Sequence, residues 1–383
     1  MNQNWSFNIP GSTIFGNNSL SQLSQIAKDF SPRSICIVTD RGVSEAGILN
    51  QTLDILKDLE VALITFDDVE PEPDIKSIDR CAKLARENEV DLFVGLGGGS
   101  PIDVAKGASI VAKYDGSIFD YLGVDNVPGS TIPKVLIPTT SGTGSEVTPF
   151  AIFKDKERQL KTAIQSKHVL GDTVIIDPFL THSCPPKVTA VCGMDALTHA
   201  IESYTSINSS PISAQCSIQA VNLIGKYILL AYRDGDNAEA RQSMALGSFY
   251  AGIGIANAGS GAVGALSYPV EGTYKALHGI GNALLLPYVI AFNSIANYQK
   301  FEDICTALGL KSKPGKDATA TVIDFINGLN ETFQFPRTLG DIGARKGDIK
   351  ALADDAITRQ RILVNNMRKL DHNDIIKIYE SAF

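Results

Sequence analysis

Short apolar runs alternate with segments of helical spacing through the first half of the chain. Five runs predict strands because each is rich in β-branched or other apolar residues and ends in polar residues or glycine. These runs are residues 34–40, 61–66, 91–96, 134–138 and 173–177. Strands that are apolar almost throughout, with helical segments (49–59 and 75–88) between them, indicate a parallel sheet covered on both faces.

The pattern changes after residue 185, where strand signals fade and apolar residues recur at helical spacing. Eight segments predict helices: residues 188–205, 210–232, 238–258, 281–295, 298–308, 318–329, 348–354 and 373–382. Pro185 and Pro186 suit a helix start. The sequence therefore predicts an α/β domain over residues 1–185 and an all-helical domain over residues 186–383.

Composition narrows the class of protein. The 383 residues contain 34 Lys+Arg against 42 Asp+Glu, so the net charge of −8 lacks the basic footprint of a nucleic-acid or anionic-membrane binder. No apolar run reaches the length of a membrane span, and the N-terminus does not resemble a secretory signal. Six scattered cysteines without a CxxC pair indicate free thiols. We expect a cytoplasmic protein. Only five histidines are available for any metal site.

A glycine-rich loop follows the third predicted strand. Gly97, Gly98, Gly99 and Ser100 precede a helix predicted to begin at Pro101. Glycines let the backbone approach a phosphate, and the helix would direct its first N–H groups at that anion. The loop is neither the GxGxxG fingerprint nor a Walker A motif. A turn that merely joins strand to helix explains the same residues equally well.

A second polar loop follows the fourth predicted strand and contains Thr139, Thr140 and Thr143. Open α/β sheets bind ligands at the carboxyl ends of their strands, so two such loops favour a nucleotide site. Asp40, at the end of the first predicted strand, suits a ribose hydroxyl and would repel a 2′-phosphate, which favours NAD over NADP. The alternative role for Asp40 is that of a helix N-cap.

Asp195 and His199 lie four residues apart in the second half, a spacing that places both on one helix face in reach of a divalent cation. Glu202 extends that face, and His278 follows later. A simple Asp–His hydrogen bond and a histidine at a helix end are the alternatives.

Four ordered segments, residues 97–106, 139–146, 193–204 and 278–287, together resemble the iron-containing (group III) alcohol dehydrogenases over nearly the whole chain. The resemblance implies an N-terminal Rossmann-like dinucleotide-binding domain with a parallel sheet and an all-helical C-terminal domain, a dehydroquinate synthase-like architecture. It also implies NAD(P)-dependent interconversion of small alcohols and aldehydes by a homodimer or higher homo-oligomer.

By the same resemblance, Asp195, His199 and His278 fall on ligand positions for Fe²⁺ or Zn²⁺. The remaining histidine ligand falls on Gly264, which has no side chain to coordinate a metal. In the same segment Glu271 replaces a usual glycine. The resemblance further places Asp103 in the cofactor loop and Lys161 near the nicotinamide, and Glu72 where the family often has Asn near the adenosine, a second feature against a phosphorylated ribose.

Three interpretations of the missing ligand remain. Three protein ligands suffice for a catalytic zinc ion. Glu271 could replace the lost histidine. Alternatively the metal is absent, and Lys161, with His278 or Tyr268 behind it, polarises the carbonyl oxygen.

The main hypothesis is an NAD-dependent alcohol dehydrogenase or aldehyde reductase with a divalent metal. The second is a metal-independent reductase resembling maleylacetate reductases that acts on an anionic carbonyl substrate, for which Arg158 and Lys161 are the motivation. The third is a nucleotide-binding protein without catalysis.

Overall fold

The computed structural model describes residues 4–157, 160–311 and 317–383. Contacts divide the chain into two compact units, Asn8–Cys184 and Pro185–Phe383, the second of which also takes in the chain up to Phe7. None of the helices in the described residues is both long and apolar enough to cross a membrane. Arg158 lies outside the described residues.

The first unit is an α/β layer structure. Its strands are β1 (Ser12–Phe15), β2 (Ser34–Val38), β3 (Ala62–Phe66), β4 (Leu92–Gly97), β5 (Gly123–Val124), β6 (Lys134–Pro138), β7 (Phe150–Asp155), β8 (Leu160–Gln165) and β9 (Thr173–Ile176). Its helices are α1 (Leu23–Phe30), α2 (Arg41–Glu45), α3 (Ile48–Leu56), α4 (Ile75–Glu87) and α5 (Gly99–Tyr114). Two apolar clusters of buried residues form its core.

Six strands of this unit form one parallel sheet in the order β1-β9-β6-β4-β2-β3. β2, β4 and β6 are buried along their whole length, because their side chains are apolar on both faces of the sheet. The predicted parallel sheet is confirmed. Three strands, β5, β8 and β7, form a separate small sheet in which β7 and β8 pair antiparallel.

The second unit is helical in its described part. Its helices are α6 (Pro186–Thr205), α7 (Pro211–Arg233), α8 (Ala238–Ala258), α9 (Ala262–Tyr274), α10 (His278–Ser294), α11 (Tyr298–Ala307), α12 (Ala318–Thr332), α13 (Ile349–Ala356), α14 (Gln360–Leu363) and α15 (His372–Ser381). One large apolar cluster runs through them. Sequence reasoning missed α9, since glycines and the internal Pro269 mask its helical spacing.

Candidate functional site

Three loops with chemistry-bearing residues meet at one edge of the parallel sheet. β2, β4 and β6 are neighbours, so the segments that begin at Asp40, Gly97 and Thr139 leave the sheet side by side. The Thr139 N–H donates to the Gly97 carbonyl over 2.9 Å. The two loops predicted separately from the sequence therefore form one surface.

Two glycines of the first loop are required by their surroundings. Gly97 has a φ of 150°, and a Cβ built on it would lie 2.7 Å from Cγ of Pro101. A Cβ on Gly99 would lie 2.9 Å from both Oγ1 and Cγ2 of Thr143, so the loops touch here. Gly98 has more room, since its Cβ would meet Thr140 Oγ1 at 3.4 Å.

Helix α5 begins at Gly99 rather than at Pro101, so the proline occupies the third helical position instead of the predicted first. Gly98 precedes the helix and offers no side chain to cap it. The first N–H groups of α5 therefore lack a side-chain cap, beside Ser100 and the threonines of the second loop. An anion is a suitable partner for such a helix start.

Asp40 takes the N-cap position of α2. Its Oδ1 accepts a hydrogen bond from the Val43 N–H over 3.0 Å. Its Oδ2 lies on the other side, 3.3 Å from the position of a Cβ on Gly97. The capping role weighed from the sequence is thus present, and it directs the second oxygen toward the glycine loop.

Asp103, a predicted cofactor-binding residue, lies close to the second loop. It is buried, its Oδ2 accepts from the Ile152 N–H over 3.0 Å, and its Oδ1 accepts from the Ser145 hydroxyl. Its two carboxylate oxygens are therefore engaged inside the protein. Asp103 supports the second loop, and its assignment to the cofactor-binding residues stays a prediction.

Lys106 is the charged centre of this support. Its side chain is fully buried, and Nζ donates to the backbone carbonyls of Ser145, Thr148 (2.9 Å) and Phe150 (2.6 Å). Burial lowers the pKa of Lys106 to about 8, and burial raises the pKa of the nearby Glu146 to about 7. The ammonium joins α5 to the segment that follows the second loop.

Lys161 lies on β8 in the small sheet, where its Nζ pairs with Glu72 Oε1 over 2.7 Å. Lys154, its neighbour across the strand pair, lies 3.5 Å from the same carboxylate. The two lysines offset the charge of Glu72, so this carboxylate is a weaker argument against a phosphorylated ribose than the sequence indicated. Lys161 is held in an ion pair rather than presented as an independent electrophile.

The metal-ligand candidates come together in the helical unit. Asp195 and His199 share the buried face of α6, and His278 is the first residue of α10. Asp195 Oδ1 lies 3.4 Å from His199 Nε2 and 3.6 Å from His278 Nε2. One atom from each residue lies within 4.8 Å of the other two.

These separations fit a divalent cation. A tetrahedral zinc site with bonds of about 2.05 Å has ligand atoms roughly 3.3 Å apart, close to the two distances measured from Asp195. Burial lowers the pKa of His199, an effect that Asp195 opposes, and the lowered pKa favours the neutral imidazole that metals bind. Three buried polar atoms around the triad also lack hydrogen-bond partners among the described residues: His199 Nδ1, Glu202 Oε2 and Asn282 Oδ1.

Gly264 lies beside Glu202 in the structure. A Cβ on Gly264 would lie 3.6 Å from Glu202 Oε2, an ordinary contact, so a side chain has room to start here. Glu202 Oε1 accepts from the Val263 N–H over 2.7 Å, and burial raises the pKa of Glu202 to about 7. The unpartnered Oε2 therefore faces the position where the resemblance expects a histidine.

Glu271 is not part of the group of metal-ligand candidates found among the described residues. Its Oε1 lies 2.6 Å from Nδ1 of His278, on the opposite side of the imidazole from Asp195. The sequence offered no means to choose between these roles, because the six intervening residues include an unpredicted helix end.

Two further residues contact His278. The ring of Tyr268 stacks on the imidazole with centroids 5.5 Å apart and an interplanar angle of 20°. Asn282, which sequence reasoning missed, donates from Nδ2 to Asp195 Oδ1 over 2.8 Å and lies 3.2 Å from His278 Nε2. Its spacing of four residues from His278 on α10 was the available signal.

Comparisons with known proteins match both parts of the chain to one family. Residues 10–178 match the iron-containing alcohol dehydrogenase family, and residues 189–383 match the C-terminal part of the Fe-containing alcohol dehydrogenase family. Long-chain-alcohol dehydrogenase 1 of Geobacillus thermodenitrificans is 36% identical over 98% of this chain and 96% of its own length.

Two solved structures extend the likeness to the fold. A crystal structure of 1,3-propanediol oxidoreductase superposes with a TM-score of 0.95 at 33% identity and covers 100% of both chains. Sulfoacetaldehyde reductase from Bifidobacterium kashiwanohense, solved in complex with NAD⁺, has a TM-score of 0.90 at 29% identity over 99% of both chains.

Proposed function

The chain belongs to the iron-containing alcohol dehydrogenase family and is an oxidoreductase acting on CH–OH groups, and from this premise we propose its cofactor, site and reaction. It transfers hydride between NAD and a small or medium alcohol or aldehyde. Asp195, His199 and His278 hold a divalent metal at a site without the histidine that Gly264 replaces. The convergence of these three side chains on one point supports the proposal most directly.

The α/β unit binds the cofactor in this proposal. Gly97, Gly98, Gly99 and Ser100 bring the backbone and the start of α5 to the pyrophosphate, and Asp40 accepts a ribose hydroxyl. Thr139, Thr140 and Thr143 present hydroxyls on the nicotinamide side. The support from Asp103 and Lys106 keeps the second loop in place before the cofactor arrives.

The helical unit positions the oxygen of the substrate. When bound, the metal supplies Lewis acidity at the alcohol or carbonyl oxygen. Asp195 contributes the negative charge of the ligand set, and His199 and His278 contribute neutral nitrogens. Oxidation of an alcohol releases one hydride to NAD⁺ and one proton to solvent, and Tyr268, which stacks on His278, is the side chain proposed to position the substrate oxygen.

The test begins with protein purified without chelator. We expect about one divalent metal ion per chain by elemental analysis, and NAD reduction with a panel of alcohols that EDTA abolishes. Asp195→Asn should lose both the metal and activity. Asp303→Asn is the matched control. Asp303 accepts from Tyr204, which lies on α6 like Asp195 but near the C-terminal end of that helix. Full activity of metal-free protein would overturn the metal-dependent mechanism.

The second candidate is metal-independent reduction of an anionic carbonyl compound, and Gly264 is the observation that favours it. The likeness to a sulfoacetaldehyde reductase makes an anionic aldehyde a suitable probe. Its sequence-based motivation is weaker now, because Lys161 is paired with Glu72. Reduction of such a probe at an unchanged rate after EDTA treatment would favour this candidate. Membership of an enzyme family leaves no support for a non-catalytic protein.

A further inference from the structure

Glu271 buries a carboxylate beside the metal triad. It lies on α9, and 1% of its side chain is exposed. A buried carboxylate is costly unless a hydrogen-bond donor or a cation accompanies it. One donor to this carboxylate is His278, whose Nδ1 lies 2.6 Å from Glu271 Oε1. Lys275, with a left-handed φ of 54°, ends α9 and turns the chain so that α10 begins beside this carboxylate.

The backbone of α10 leaves space for this contact. A Cβ on Gly281 would lie 3.3 Å from both Cγ and Oε1 of Glu271, closer than ordinary van der Waals contact. A larger residue at 281 would therefore press the carboxylate away from its present position. The absence of a side chain at Gly281 therefore leaves room for the Glu271 carboxylate in its present position.

The hydrogen bonds on the two sides of His278 require the same tautomer. A neutral imidazole has one N–H donor and one acceptor nitrogen. The Glu271 carboxylate accepts, so the proton belongs on Nδ1. The Asn282 amide N–H groups donate, one toward Asp195 Oδ1 and one toward His278 Nε2, so Nε2 carries the lone pair.

The ring face of His278 is in contact with neighbouring side chains, as are its two nitrogens. Tyr268 stacks on the ring at 5.5 Å, and the guanidinium of Arg359 lies 5.1 Å from the centre of the Tyr268 ring. His199 differs, since its Nδ1 has no hydrogen-bond partner among the described residues. His278 is the more exposed of the two histidines, and its Nδ1 contacts the Glu271 carboxylate.

We propose that Glu271 is a positioning residue that fixes His278 with its proton on Nδ1 and directs the Nε2 lone pair to the metal beside Asp195. The negative charge also makes Nε2 a stronger electron donor, which partly offsets the ligand missing at Gly264. Carboxylates that accept from metal-binding histidines act in this way, and their loss weakens metal binding by roughly 10- to 100-fold. This inference rests on the metal site of the proposed function.

The test measures metal affinity by competition between the protein and a chromophoric chelator for Zn²⁺. Glu271→Gln keeps the size of the side chain and removes its charge, and we expect Zn²⁺ to bind about 10-fold more weakly. Glu271→Ala should bind about 100-fold more weakly. The matched control is Asp348→Asn, because Asp348 accepts from Tyr274 of the same helix over 2.8 Å and lies outside the triad. We expect the affinity of this control to equal that of the unaltered protein.

A second readout separates positioning from simple structural support. Co²⁺ loaded into Glu271→Gln should show a shifted visible absorption band, because a displaced imidazole changes the ligand field. A merely structural role would lower the melting temperature while the zinc affinity and the cobalt spectrum of the folded protein stayed unchanged. That result would overturn the inference.

A third measurement determines the tautomer of His278 directly by NMR, and it needs one variant to assign the signal. Five histidines give a simple ¹⁵N imidazole spectrum of the metal-free protein, and His278→Gln identifies the signal of His278. We expect that signal to report a protonated Nδ1, and a protonated Nε2 would contradict the inference. If the unaltered protein binds no metal, the proposed function fails. If it binds metal and both Glu271 variants bind equally well, only the role of Glu271 fails.

Discussion

The loop supports of the α/β unit and the triad of the helical unit treat their polar atoms differently. Beneath the second loop, the oxygens of Asp103 accept from the Ser145 hydroxyl and the Ile152 N–H. The ammonium of Lys106 donates to backbone carbonyls such as that of Phe150. Around the triad, His199, Glu202 and Asn282 each keep a buried polar atom without a partner among the described residues. The support of the loop satisfies these polar atoms within the protein, whereas the triad leaves buried polar atoms open to a ligand.

The largest expected effect tests whether the loop support is complete on its own. Lys106→Met removes the donor to three carbonyls and leaves Asp103 and Glu146 buried without their cation. Loss of one partner of a buried ionic network costs about 3–5 kcal/mol. We expect the melting temperature of the α/β unit to fall, as measured by calorimetry. An unchanged melting temperature would show that the ammonium does not hold the loop.

The next test asks whether a change in the α/β unit alters NAD binding without altering zinc binding in the helical unit. Gly99→Val places a side chain against Thr143, since even a Cβ would lie 2.9 Å from it. We expect NAD to bind about 100-fold more weakly in fluorescence titration, equivalent to ~2.7 kcal/mol, while zinc affinity stays constant.

Gly328→Ala on α12 is the control for this variant, because no atom lies within 4 Å of its Cβ position. A parallel loss of zinc affinity in Gly99→Val would contradict the independence of NAD binding and zinc binding.

A smaller effect is expected from restoring the ligand that the helical unit lacks. Gly264→His has room for its Cβ, and its imidazole begins beside the unpartnered Glu202 Oε2. We expect zinc to bind about 10-fold more tightly, equivalent to ~1.4 kcal/mol. Gly264→Ala controls for the loss of glycine flexibility, and equal affinities in both variants would show that position 264 is out of reach of the metal.

The last test concerns the pH dependence of stability in the α/β unit. Burial raises the pKa of Glu146 to about 7, so between pH 4.5 and 7 the native state holds a proton that the unfolded chain releases. This contribution to stability is present below about pH 4.5 and is lost as the pH rises through 7. Glu146→Gln should flatten the dependence by on the order of 1–3 kcal/mol in urea titrations at several pH values.

The sequence predicted most of the parallel sheet because its strands are buried on both faces and read as continuous apolar runs. It missed β7, whose exposed Ile152 and half-buried Lys154 break that pattern, and β1, whose four residues are exposed or half-buried at the sheet edge. Bounds of α8 agree with the prediction, since α8 has clear signals at both ends.

The triad followed from spacing and from the family resemblance, but the roles of its neighbours did not. Glu271 and His278 meet only because Lys275 adopts a left-handed conformation, and a single sequence shows no such turn. The sequence also did not reveal the structural partners of Asp103 and Lys161, for a related reason. Their partners, Ile152 and Glu72, are 49 and 89 residues away along the chain, beyond the reach of local patterns.

Asn282 contacts two of the three metal-ligand candidates in the helical unit. Its amide N–H groups lie where the lone pairs of Asp195 and His278 converge, and they relieve the repulsion between those lone pairs in a buried setting. Under the proposed function, metal binding at the triad would exchange this amide for a cation. Because the amide has to rotate away first, we expect the rate of metal uptake to level off at high metal concentration, with a ceiling set by the motion of one side chain.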